Sequence, residues 1–138
     1  ITNNGTTFNL GDNSFGFVNV GSGNTITSTI SNIGLGNNSV YVYSNDTKGT
    51  VTNNTAISST GNQNYGLYSA GTVNNNATIN LSNGKGNVGI YSVGGGTATN
   101  NSSIIVGESD SKNNLFSIGM GAGYGTTDRG TIIKVQLL

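Results

Sequence analysis

Glu108 and Asp110 are the one close acidic pair in the chain. Two neighbouring carboxylates are the minimum for acid–base hydrolysis of a glycosidic bond, and they also begin a calcium site. Both uses need company. Glycosidases set their two carboxyl groups about 5 to 9.5 Å apart on either side of the scissile bond. Asp12 falls in the same sector of the repeat described below, but four repeats away, about 19 Å at strand spacing. Asp46 and Asp128 fall in other sectors, and Lys112 follows the pair directly. A solvated corner is the simpler reading. The chain has no His and no Cys, which excludes nucleophile–histidine catalysis and histidine- or thiolate-ligated metal. Gly94-Gly95-Gly96-Thr97 lacks the Asp of the calcium-binding solenoid nonapeptide. The other glycine-rich turns lack the lysine and the strand-to-helix context of a phosphate loop. No catalytic residue, metal ligand or cofactor is assigned.

One recurring group is suited to contact. Tyr43, Tyr68, Tyr91 and Phe116 occupy equivalent places in successive repeats, with Val18 in the first. Facing outward they form a flat ladder able to stack against sugar rings or a protein partner while the Tyr hydroxyls stay wet. Facing inward they are core. The neighbouring series Phe17, Val42, Leu67, Ile90 and Leu115 is more uniformly apolar, so it is expected to face in, with the Ser series two residues on. That choice puts the Tyr series outside, as a structural ladder first and a ligand contact second.

These groups are positioned by a repeat of about 25 residues. Units open at positions 1, 26, 51, 73, 98 and near 126, giving intervals of 25, 25, 22, 25 and 28. The opening phrase is Ile1-Thr2-Asn3-Asn4-Gly5, then Val51-Thr52-Asn53-Asn54, Val73-Asn74-Asn75-Asn76 and Ala98-Thr99-Asn100-Asn101; the unit at Ile26 has Ser28 and Thr29 instead of Asn. A period this short is the mark of a solenoid. Each unit carries apolar pairs at i and i+2, the strand period: Phe8/Leu10, Ile33/Leu35, Ile79/Leu81, Ile104/Val106 and Ile133/Val135, with a weaker Ile57/Ser59. The aromatic phrase supplies a second strand, ending in Leu115-Phe116-Ser117-Ile118, and the opening phrase a third. Gly and Asn clusters between them tolerate the positive φ of sharp corners. Three strands and three corners per unit predict an all-β parallel β-helix of about five to six rungs, a single segment over 1–138. Its repeats are 1–25, 26–50, 51–72, 73–97 and 98–125, with a partial 126–138. Aligned Asn side chains are expected to form amide ladders. A propeller blade needs about 40 residues, too many for this period.

Composition narrows the partners. Five basic and five acidic residues give zero formal charge, and Lys48, Lys85, Lys112, Arg129 and Lys134 are scattered, which argues against a nucleic-acid interface. No apolar run approaches the ~20 residues that insert in a membrane. Neither end carries the atypical polar cap that solenoids use, so the chain is expected to be a segment of a longer protein. Unpaired backbone at such ends favours end-to-end or lateral self-association.

Thr2-Asn3-Asn4-Gly5-Thr6, Asn75-Asn76-Ala77-Thr78-Ile79-Asn80-Leu81 and Val88-Gly89-Ile90-Tyr91-Ser92-Val93-Gly94-Gly95-Gly96 resemble the repeats of large bacterial autotransporter passengers. The likeness is strongest to the giant adhesins of fusobacteria. It covers nearly all of the chain, but the motif is structural and is shared by passengers with different ligands. The resemblance implies a right-handed β-helix at the bacterial cell surface, exported through the outer membrane. The implied role is a non-enzymatic stalk or adhesive segment in virulence, with a host or bacterial surface protein or glycan as partner. The membrane barrel typical of the family is absent, in keeping with a segment. Two other classes compete. Thr25, Thr50, Thr72 and Thr97 form a column suited to an ice-binding solenoid, doubled at Thr27, Thr52 and Thr99. A glycan-active β-helix enzyme would require acids from adjoining repeats to converge.

Overall fold

In the computed structural model, which describes residues 1–123 and 131–134, the chain winds as a parallel β-solenoid with three strands per coil. The first sheet stacks Thr2–Asn3, Thr25–Ser28, Thr50–Asn53, Thr72–Asn75, Thr97–Asn100 and Thr131–Lys134. The second stacks Thr7–Leu10, Asn32–Leu35, Ala56–Ser59, Ile79–Leu81 and Ile104–Val106. The third stacks Phe15–Asn19, Val40–Ser44, Tyr65–Ser69, Val88–Ser92 and Ile118–Ala122. Five strands in a sheet span four steps, so the stack advances about four turns, slightly fewer than the five to six rungs counted from the repeat. Among the described residues no helix is long and apolar enough to cross a membrane.

Like side chains lie over like. Ile26, Val51, Val73 and Ala98 form one buried column of the first sheet. Phe8, Ile33, Ile57, Ile79 and Ile104 form another in the second sheet, and Val42, Leu67 and Ile90 a third. Together these fill the centre as one apolar cluster.

The corners are held by amides. Where the first sheet turns into the second, Asn53 Nδ2 donates to Asn75 Oδ1 at 2.8 Å, and Asn75 Nδ2 to Asn100 Oδ1 at 2.7 Å. The same nitrogens also donate to carbonyls two residues on, at Thr55 and Ala77, which closes the bend. These three side chains are buried. Next to them runs an exposed ladder of the opposite polarity, from Asn101 to Asn76 to Asn54, at 2.9 Å per step. The second corner repeats the device with backbone donors: Asp12, Asn37 and Asn62 each accept, through Oδ1, the N–H of the residue one coil later, at 2.8 to 2.9 Å.

The second coil departs from this pattern, and the departure is compensated. Ser28 stands where the later coils have a buried Asn. The vacated volume is taken by Tyr41, fully buried, whose hydroxyl pairs with Ser28 Oγ and whose ring meets Phe8 and Phe17 at 6.5 and 5.6 Å between centroids. Burial pushes the Tyr41 phenol up, against hydrogen bonds from Ser28 and Thr55. Elsewhere in that column stand glycines. A Cβ on Gly66 or Gly89 would lie 2.6 or 2.5 Å from a carbonyl oxygen of the next coil, so the backbone there approaches too closely for a side chain. Consequently Gly66 and Leu67 are both buried while Tyr65 and Tyr68 both face out.

Two register expectations are corrected. Ile133 does not stack on Ile104: its strand joins the first sheet, with Ile133 opposite Thr99 and Ile132 opposite Ala98. Val135, Asp128, Arg129 and the unit start near Thr126 lie outside the described residues. The Leu115–Ile118 phrase is not the fifth strand of the third sheet, which begins at Ile118 and pairs Ile118 with Val88.

Because a buried amide is costly without partners, the inner ladder should carry far more stability than the outer one. Asn75→Ala removes two donated bonds and leaves Asn53 Nδ2 with only its bond to the Thr55 carbonyl, and is expected to cost about 2–4 kcal/mol. Asn76→Ala, on the exposed ladder, should stay within about 0.5 kcal/mol. Urea unfolding of the two variants measures the contrast.

Candidate functional site

The outer face of the third sheet carries the aromatic series. Tyr43, Tyr68 and Tyr91 are Cα partners across successive coils and half-buried. Their rings stack at 5.2 and 5.8 Å with interplanar angles of 15° and 8°. Tyr65, three residues before Tyr68, sets its ring edge-on to both Tyr68 and Tyr91. Phe15 does the same to Tyr43 and is well exposed. At one end of the stack the Tyr91 hydroxyl donates to the Gly123 carbonyl at 2.7 Å, and its ring lies over Gly121. The geometry limits what the ladder can do. Each ring covers its neighbour's face, so the ladder turns mainly ring edges outward. Such stacking ties coils together.

Phe116 is not the fourth ring of this ladder. The residue opposite Tyr91 is Gly121, and the one opposite Ile90 is Met120 rather than Leu115. The cause is a looped-out segment in the long fifth repeat. Asp110 and Leu115 exchange backbone hydrogen bonds at 2.7 and 2.9 Å around a 3-10 turn, Ser111–Asn113, that ends in left-handed Asn114 at φ 55. Ser117 Oγ pins the loop by donating to the Glu108 carbonyl and accepting the Gly86 N–H. Phe116 projects from this loop with 53% of its surface exposed.

The loop also separates two clefts, both lined by Leu115. The larger, about 900 Å³, takes Asn62, Lys85, Glu108, Asp110 and Asn113. In it the Asp110 carboxyl is held below its usual range, chiefly by the Asn113 amide at 2.9 Å, with Lys85 adding its charge. Asp12, the acid expected in the same sector, is engaged at the first coil by the Asn37 N–H and amide. The structure brings Glu108 and Asp110 to one cleft and leaves Asp12 elsewhere.

Asp46 is the functional-type group that sequence reasoning left unplaced. It is buried at the third corner, where its carboxylate has four hydrogen-bond donors and, among the described residues, no cation. Oδ1 accepts the Gly23 and Lys48 N–H groups at 3.0 Å; Oδ2 accepts Asn24 N–H at 2.8 Å and Asn19 Nδ2 at 3.2 Å. It thereby clamps the Gly21–Asn24 turn of the first coil. Desolvation pushes this carboxyl up, and the hydrogen bonds outweigh it, so the net shift is downward. The signal available in the sequence was the Asp46-Thr47-Lys48 run, an Asx-turn pattern in a position where other coils carry Ala or Gly.

Fold and site together define a class: a net-neutral, sparsely charged parallel β-solenoid with corner amide ladders, an outward aromatic stack and, among the described residues, a looped-out corner. Comparison with protein-family models, with curated proteins and with solved structures finds no match to the chain. Its functional reading therefore rests on these features themselves.

The Asp46 clamp makes a pH prediction. A carboxyl whose folded pKa is depressed contributes stability that is complete above its unfolded value, about 3.9, and that drains as pH falls through the lower folded value. The melting temperature should hold from neutral pH to about 4 and then fall. Asp46→Asn should melt lower at pH 7, since one acceptor oxygen becomes a donor facing donors, and its acid fall should be shallower. Thermal melts of both proteins from pH 7 to 2 test this.

Proposed function

We propose that the chain is a non-enzymatic rod segment of a bacterial cell-surface passenger of the autotransporter type, serving as a stalk and contributing to adhesion. The observation that carries the reading is the repetition itself. Through successive coils the same side chains return in register, core on core and amide on amide. Such a body transmits length; each coil adds about 4.8 Å. The likeness of its Asn-Asn and Gly-Ile-Tyr-Ser phrases to passenger repeats supports the surface location. The engagement of Asp12, Asp46 and Asp110 by structural donors favours this reading over a glycan-active enzyme.

Antibodies raised against the purified chain should label intact cells that produce it, and labelling that needs lysis would contradict the proposal. Excising residues 73–97 joins Thr72 to Ala98 in the place of its own Cα partner Thr97. That excision should preserve folding, surface labelling and attachment while shortening the rod by one coil. Collapse of the β circular-dichroism signal, or loss of attachment, would count against a modular stalk.

A second reading is favoured by one specific feature. Register places Thr25, Thr50, Thr72, Thr97 and Thr131 in one column of the first sheet, and Thr2, Thr27, Thr52 and Thr99 in the next outward one, interrupted by Asn74 and Ile133. β-Branched Thr holds few χ1 states, so hydroxyls and methyls repeat rigidly, as an ice-binding face requires. A thermal-hysteresis measurement decides it: freezing and melting points that coincide dispose of this alternative.

A further inference from the structure

We infer that the smaller cleft, between the looped-out segment and the leading edge of the third sheet, is a binding groove for an extended, neutral oligosaccharide. It encloses about 450 Å³ and reaches from Asn38 and Val40 in the second coil to Phe116 and Ile118 in the fifth. Three coil spacings separate those ends, roughly 14 Å along the rod. The groove is therefore long and axial, suited to a chain rather than to a single small molecule.

Its floor is one register column, Val40, Tyr65, Val88 and Ile118. Its rims carry amides: Asn38 and Gln63 on the corner side, Asn114 on the loop. All three are exposed and held at left-handed φ of 54, 60 and 55. Asn38 Nδ2 already donates to Asn13 Oδ1 at 3.2 Å, which orients its amide and leaves its Oδ1 to accept from a ligand hydroxyl. Above the floor stands Phe116, whose ring is exposed where the ladder rings cover one another.

Charge selects the ligand class. None of the lining residues of this groove is acidic or basic, while Lys85, Glu108 and Asp110 all line the other cleft, across Leu115. A free aromatic face complements the C–H face of a sugar ring, and amides complement its hydroxyls. An extended peptide docks instead by adding a strand to an open sheet edge. Here the strands of Val40, Tyr65 and Val88 are hydrogen-bonded to the coils on both sides, and the groove is lined by their side chains and by Ile118 of the last described strand of the sheet.

This goes beyond the stalk reading, since a rod holds its length whether or not the groove is occupied. The test titrates the purified chain with cello-, chito- and malto-oligosaccharides from two to six sugars. Binding is followed by tyrosine emission, which is accessible because the chain has no Trp. At least one series should give a saturable change whose affinity rises with chain length. Phe116→Ala and Phe116→Leu should each weaken binding tenfold or more and Phe116→Tyr should retain it, all with unchanged melting temperature because the ring is exposed. Three results would overturn the inference: no saturable response in any series from the folded chain, equal binding by Phe116→Ala, or tighter binding of sulfated oligosaccharides that weakens with salt.

Discussion

Hydrogen bonding along the rod axis is the constraint on which everything else depends. In this solenoid a coil's strands find their backbone partners in the coils above and below, and so do its corner side chains. A buried amide without partners costs roughly 2–7 kcal/mol, so Asn53, Asn75 and Asn100 are tolerable at the core only as an unbroken chain. The chain stops at Ser28, and there the structure changes chemistry instead of leaving a gap. Tyr41 and Thr55 bring hydroxyls to Ser28, and the Tyr41 ring fills the remaining volume. Asp46 answers the same demand at the first turn, where one carboxylate satisfies three backbone N–H groups and an amide.

Much of this was legible from the repeat. Spacing alone aligned Ile33 with Ile57 and Ile79, and Leu67 with Ile90, because each interval between Ile26 and Ala98 is one coil and any difference in length is absorbed at a corner. The Asn pairs announced their ladders. What spacing could not reveal is where an overlong repeat departs from the coil. The fifth has two apolar phrases, Leu115–Ile118 and Ile118–Ala122, and the first matches the aromatic phrase better by residue type. The second takes the strand and sets the Gly119 carbonyl against Gly89, 2.5 Å from where a Cβ there would lie, whereas the first closes the Asp110–Leu115 loop. Ile133 was misplaced for a related reason: Thr131-Ile132-Ile133-Lys134 alternates acceptably in either of two sheets. Tyr41 was invisible because its place is filled by glycine in the other coils.

The site follows from the same contrast between repetition and departure. Where coils repeat, outward groups become columns, and columns of tyrosine or threonine are chemically uniform along the rod. Stacked tyrosines stabilise neighbours more than they recognise strangers, since the faces that would meet a ligand meet each other. Recognition needs a local break in symmetry. The loop from Glu108 to Ser117 supplies it, by raising an aromatic ring and an amide over an otherwise regular face and sorting charge to its far side.

The most direct test of the stacked register uses disulfide formation between introduced cysteines, in a chain that has none of its own. Thr52 and Asn74 are Cα partners on the outer face of the first sheet. Adjacent strands lie about 4.8 Å apart, inside the ~4.4–6.8 Å Cα window of a disulfide. The pair Thr52→Cys with Asn74→Cys should therefore oxidise readily in the folded protein. Thr52→Cys with Thr72→Cys, two residues out of register on the same face, should stay reduced. Equal oxidation of both pairs, or preference for the second, would contradict the register from which the columns, the ladders and the groove all derive.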